Sequence, residues 1–163
     1  MKIKRLTELS LLTGLALIIF VVELRFPDII PVPGVKLGLA NIITVYTVYK
    51  YRAVETFLLV LARILLGALF ASSFSALIYS LSGAVCCLAG MLLLRRIIPL
   101  RWMWLCSIIG AILHNTGQIV VATAAVRSFA VLAYYPILII SGCIAGAFTG
   151  ICAQLVINKI SEK

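Results

Sequence analysis

Charge is scarce in this sequence. Only 12% of its 163 residues are Asp, Glu, Lys or Arg, against about 25% in an ordinary soluble domain. Five residues are acidic and one is histidine. The acids never gather into an aspartate-rich cluster that could chelate Mg²⁺ on a diphosphate. No G-x-x-x-x-G-K-[ST] loop is present, so the chain cannot by itself bind and hydrolyse ATP in the usual way. No C-x-x-C pair occurs, and none of the five cysteines lies near His114 in sequence, which removes the common zinc patterns. A stand-alone enzyme is therefore not expected, and neither is a cofactor.

What the sequence has in excess is apolar side chains. They make up 64% of the residues, and the mean hydropathy is +1.21. A core of this size cannot hide that surplus, so lipid must solvate it. Runs long enough to cross a bilayer need about 20 mostly apolar residues. The expected helices are about 7–24, 37–50, 54–71, 75–94, 103–125 and 131–157, within a single membrane domain spanning 1–163. Pro27, Pro31, Pro33 and Gly34 make residues 25–36 an irregular loop, because proline removes backbone donors and glycine permits left-handed turns. The opening Lys2-Lys4-Arg5 and the run behind it resemble a secretory signal, but without an A-x-A-like cleavage site they read as a retained first helix. Cys86, Cys87, Cys106, Cys143 and Cys152 all lie inside apolar runs and read as packing residues.

Basic residues set the expected topology. Lys2, Lys4 and Arg5, then Lys50 and Arg52, then Arg95, Arg96 and Arg101, and finally Lys159 and Lys163 fall at alternate ends of the spans. The other ends hold only Arg25, Lys36 and Arg127. The positive-inside rule then places both termini in the cytoplasm, with six spans. It also accounts for the net charge of +9 without nucleic acid. Small residues four apart mark helix faces that can approach closely: Gly142, Gly146 and Gly150 on the last span, Gly83 with Ser80 and Ala84 on the fourth, and Ser10 with Gly14 on the first. Such faces either pack the bundle or dock a partner.

Polar residues inside the spans carry the functional expectation. Arg63 sits near the middle of the third span, where a charge is costly and needs a partner. It reads either as one half of a structural pair with Glu23 or as a contact for an anionic ligand, since a guanidinium suits carboxylate or phosphate. His114 and Gln118 are four apart and share a helix face, with Asn115 about a quarter turn away. They serve either as ties between helices or as the wall of a pocket. With Asn41 at its mouth and Glu23 and Lys36 at its rim, these residues outline a cavity opening to the outer side, with a small-molecule ligand as occupant.

Several segments of the chain are also familiar as a set. Pro33-Gly34-Val35-Lys36-Leu37-Gly38-Leu39-Ala40-Asn41, Arg63 with Gly67, Tyr79-Ser80-Leu81-Ser82-Gly83, His114-Asn115-x-x-Gln118, Tyr135-Pro136 and Ser141-Gly142 occur in this order. Together they resemble a bacterial membrane family labelled heptaprenyl diphosphate synthase component I, also called Gx transporter. The resemblance implies a location in the bacterial cytoplasmic membrane and a fold similar to the substrate-binding S components of energy-coupling factor (ECF) transporters. Those six-helix proteins capture a small molecule from outside, and a transmembrane subunit with two ATPases drives its import. In such proteins the loop between the first two helices gates the pocket. The family label implies a different role: a non-catalytic partner of a soluble prenyl synthase subunit making the long prenyl diphosphate for menaquinone.

Overall fold

The structure is a computed structural model that describes residues 3–25, 38–71 and 74–161. Six α-helices account for most of them: α1 Ile3–Glu23, α2 Asn41–Lys50, α3 Ala53–Ala71, α4 Phe74–Leu94, α5 Met103–Val126 and α6 Tyr135–Ser161. Short 3-10 turns at Leu100–Trp102 and Phe129–Tyr134 lead into α5 and α6, and no strand occurs among the described residues. Five of the helices, all but α2, are long and apolar enough to cross a membrane. The chain is thus a multi-pass, all-helical membrane protein. Lipid-compatible side chains cover it: Leu11, Leu15, Ile18, Leu69, Ile140, Ile144, Phe148 and Leu155 are all exposed, and exposed backbone polar groups are satisfied inside the helices, as hydrocarbon demands.

The second helix departs from the expected 37–50. It starts at Asn41, because Gly38 takes a left-handed φ of 66° and residues 39–40 turn before the helix begins. Ten residues rise about 15 Å, roughly half of a hydrocarbon layer about 30 Å thick. Within that short length Ile43 to Val48 are all buried, so α2 is a core helix wrapped by the others. The last helix also shifts: it runs from Tyr135 to Ser161, and the stretch expected to open it is the 3-10 turn at Phe129–Tyr134. The 25–36 loop, apart from Arg25, lies outside the described residues, as does Lys36.

One end of the bundle gathers the basic residues and is stitched by polar contacts. Arg5 on α1 pairs with Glu55 on α3 at 2.7 Å. The Glu55 carboxylate also accepts from the Arg52 amide at 2.9 Å, closing the first turn of α3. Arg95, just past α4, donates to the carbonyls of Val48 and Tyr51, and Gln154 donates to the Arg101 carbonyl at 2.6 Å. Tyr51 donates to Glu8 at 3.2 Å. Burial first and this hydrogen bond second push its phenol up to about 12, so it remains a neutral donor at physiological pH.

Glycine sets the closest helix contacts. A side-chain carbon at Gly146 would meet the Ile108 Cα at 2.7 Å, and one at Gly150 would meet the Trp104 Cα at 2.6 Å. The 142–146–150 stripe of α6 therefore lies directly on the backbone of α5. A buried hydroxyl pair, Ser107 with Thr149 at 3.1 Å, spans the same seam. Gly83 and Gly117 bring α4 and α5 together in the same way, with Gly83 against His114 and Gln118. On α1 the small face is bare: Ser10 is exposed, and a carbon added at Gly14 would meet nothing within 4 Å. Only Leu9, Ala16 and Glu23 of that helix are buried.

Candidate functional site

Arg63 projects from α3 into the protein and is only 8% exposed. Its Nη1 donates to the Asn41 Oδ1 at the start of α2, over a long 3.5 Å. Its Nε is buried with no hydrogen-bond partner among the described residues. A guanidinium has five donors, and a buried donor left without a partner is costly at this depth. Glu23, Cys87 and His114 all lie within its electrostatic range.

The direct Arg63–Glu23 ion pair offered by the sequence is not formed; the ion pair among the described residues is Arg5–Glu55. The Glu23 carboxylate instead accepts from the backbone amides of Gly38 at 2.5 Å and Leu39 at 3.1 Å. The left-handed Gly38 aims successive amides at the carboxylate, just ahead of the positive end of α2. Glu23 is thus consumed in anchoring α2 to the end of α1. Asn41, expected at the mouth of a pocket, holds the arginine.

The polar run on α5 divides between two neighbours. His114 and Gln118 face Gly83 on α4, as their four-residue spacing dictates. Neither side chain makes a hydrogen bond among the described residues. Asn115 turns to α6 and donates to the Leu138 carbonyl at 2.6 Å, so it acts as a tie between helices. A double-mutant cycle on comparable membrane hydrogen bonds gives about 0.6 kcal/mol and model peptides about 1–2. Asn115→Ala should therefore lower stability by about 1 kcal/mol, measured by thermal unfolding in detergent, without separating α5 from α6. A wild-type unfolding curve would show that the tie is idle.

Sequence reasoning missed some of these groups. Thr116 meets the Tyr135 hydroxyl at 2.9 Å, and only its place inside the His114–Gln118 run signals it. Cys87 beside Arg63 had no signal at all, being one apolar-looking residue among many. Two apolar depressions between α3 and α4 include none of Arg63, His114 or Gln118. No cluster of three or more His, Cys, Asp or Glu that could hold a metal occurs among the described residues.

Five apolar spans around a short core helix, with a lone buried arginine at their centre, define a multi-pass membrane protein with a polar locus inside the bilayer. The chain belongs to the heptaprenyl diphosphate synthase component I family, whose model matches residues 12–156. No curated protein and no solved structure gives a significant match.

Proposed function

We propose that this chain is a non-catalytic membrane component that assists a soluble prenyl-chain enzyme in making heptaprenyl diphosphate. The observation that carries this reading is the family match over residues 12–156, nearly the whole chain. A component I implies a second component, and this sequence has no aspartate-rich motif with which to do the chemistry alone. Residues 1–163 form one membrane domain in the bacterial plasma membrane. The basic end faces the cytoplasm, where positive charge accumulates and where a soluble partner would dock.

A second reading rests on Arg63. Its Nε, buried and unpartnered among the described residues, is the kind of group that marks a ligand site inside a membrane. In this reading the six helices act as an S component and capture a small anionic or amphipathic molecule from the outer side. Arg63 neutralises its charge, His114 and Gln118 bond its polar head, and partner subunits supply the energy for import.

The two readings require different partners. The tagged full chain, extracted gently from its native membrane, should bring down a soluble aspartate-rich prenyl synthase, identified by mass spectrometry. Removing the chain from the reconstituted pair should then lower or shorten the prenyl product. If ATP-binding cassette ATPases and a transmembrane coupling subunit come down instead, the synthase reading is wrong and the import reading replaces it.

A further inference from the structure

Seven of the eight threonines donate their hydroxyl to a backbone carbonyl. A helical threonine reaches the carbonyl three or four residues back by turning one bond, so the contact is always within its grasp. Thr44 on α2 is the exception. It is 4% exposed, and its hydroxyl has no hydrogen-bond partner among the described residues. A buried hydroxyl left unmet is costly where no water competes for it. Its neighbour Thr47, one turn along the same helix, takes the ordinary course and donates to the Thr44 carbonyl at 2.9 Å.

The place of Thr44 ties it to Arg63. Only residues 51 and 52 join α2 to α3, so the two helices lie antiparallel, and the Thr56 hydroxyl donates across to the Thr47 carbonyl at 3.1 Å. Asn41 and Thr44 are three apart and share one face of α2, and Asn41 is the residue that Arg63 touches. A long side chain on a helix leans toward that helix's N-terminus, which carries the guanidinium from the level of Asn41 toward that of Thr44. Two buried groups without partners, the Arg63 Nε–H and the Thr44 hydroxyl, thus belong to facing helices on either side of the Asn41 contact. Both can donate, so what they lack is an acceptor.

The guanidinium also lacks a counter-ion in contact. Glu23 lies within its electrostatic range, but two backbone amides hold that carboxylate. A bridging water would satisfy both donors and leave the charge unmet, whereas one carboxylate would satisfy the donors and the charge together. A phosphate carrying two charges or more would fare worse. The other described basic residues sit at helix ends or in the links, so no second cation stands beside Arg63 within a span, and Glu23 would repel the surplus. We propose that Arg63 and Thr44, steadied by Asn41, hold the single carboxylate of a small monoanionic ligand. The proposal rests on the import reading for a ligand at Arg63 and deepens it by naming the ligand class.

The test uses the full chain in detergent with acetate and benzoate as probes, read as the rise in unfolding temperature with probe concentration. Sodium chloride at matched ionic strength and inorganic phosphate are the comparisons. The carboxylates should stabilise the wild-type protein saturably, and phosphate should do no more than chloride. Thr44→Val removes the hydroxyl at nearly constant shape and should weaken carboxylate binding by about tenfold, the value of one hydrogen bond to a charged group. Thr44→Ser keeps the hydroxyl and should bind as the wild type does. If Thr44→Val does not purify as a monodisperse protein, Thr44→Ala replaces it. Arg63→Leu should abolish the saturable response. An equal response to phosphate, or wild-type affinity without the hydroxyl, overturns the proposal. So does the absence of any response with both variants less stable than the wild type, the sign of a buried water bridging the two donors. Partner capture, run beside these measurements, separates the two ideas. Coupling subunits without a carboxylate response strike only the ligand class. A carboxylate response without coupling subunits strikes the import reading and leaves the site standing.

Discussion

Replacing Gly146 by leucine should strip the protein of much of its stability, while the same replacement at Gly14 should change almost nothing. At Gly146 the first added carbon falls 2.7 Å from the Ile108 Cα and 2.9 Å from the Ser107 carbonyl oxygen. Both are backbone atoms of α5 and cannot swing aside as a side-chain tip would. The helices must separate, which opens the Ser107–Thr149 hydroxyl pair and loosens the packing that membrane helices depend on in place of a hydrophobic drive. Overpacking of this kind costs about 3 kcal/mol or more, on the order of 10 °C in unfolding temperature for a chain of this size. The control is built into the molecule, since Gly14 faces open space. Thermal unfolding of both variants in detergent decides the matter. Equal losses at the two positions would mean that the α5–α6 seam is not held by close backbone approach.

The same contrast marks how far the sequence can be read. Small residues four apart look alike on α1 and α6, yet only the α6 stripe touches a neighbour. Spacing reports that a face could approach another helix; it does not report which helix arrives. The long spans were legible because hydrophobic runs of bilayer length have few alternative fates. Their boundaries fell within one residue of expectation at α3, α4 and α5, and α1 begins four residues earlier than expected; α2 and α6 each begin four residues later. There a left-handed glycine and a 3-10 turn reset the start, and hydropathy is blind to both. The polar residues were legible as a group but not in their pairings. Glu23 looked like the natural partner of Arg63 because the sequence counts charges and does not see backbone amides. Two amides ahead of α2 hold that carboxylate instead.

Arg63→Leu should leave the fold at least as stable as the native protein while removing function. The native arginine carries a charge within a span, at about 2.5–3.5 kcal/mol on insertion scales. Its return on that cost, among the described residues, is one long hydrogen bond to Asn41, with Nε buried and unpartnered. Glu23 lies within its electrostatic range but forms no direct ion pair with it, its carboxylate being held by the Gly38 and Leu39 amides. Leucine fits a similar stem among apolar neighbours and demands no partner, so the unfolding temperature in detergent should hold or rise. A residue retained at net cost to the fold points to use by a ligand. Loss of a charge-assisted contact to an anion is worth about tenfold or more in affinity. Arg63→Lys keeps the charge but loses the planar fork, and should fall between the two. The measurement pairs thermal unfolding with a functional readout: prenyl-product formation by membranes lacking the native chain and re-supplied with each variant. A variant that is stable and inactive assigns Arg63 to ligand binding. One that is stable and fully active sinks that role. One that fails to fold makes the Asn41 contact structural, and shows that the arginine holds α2 against α3.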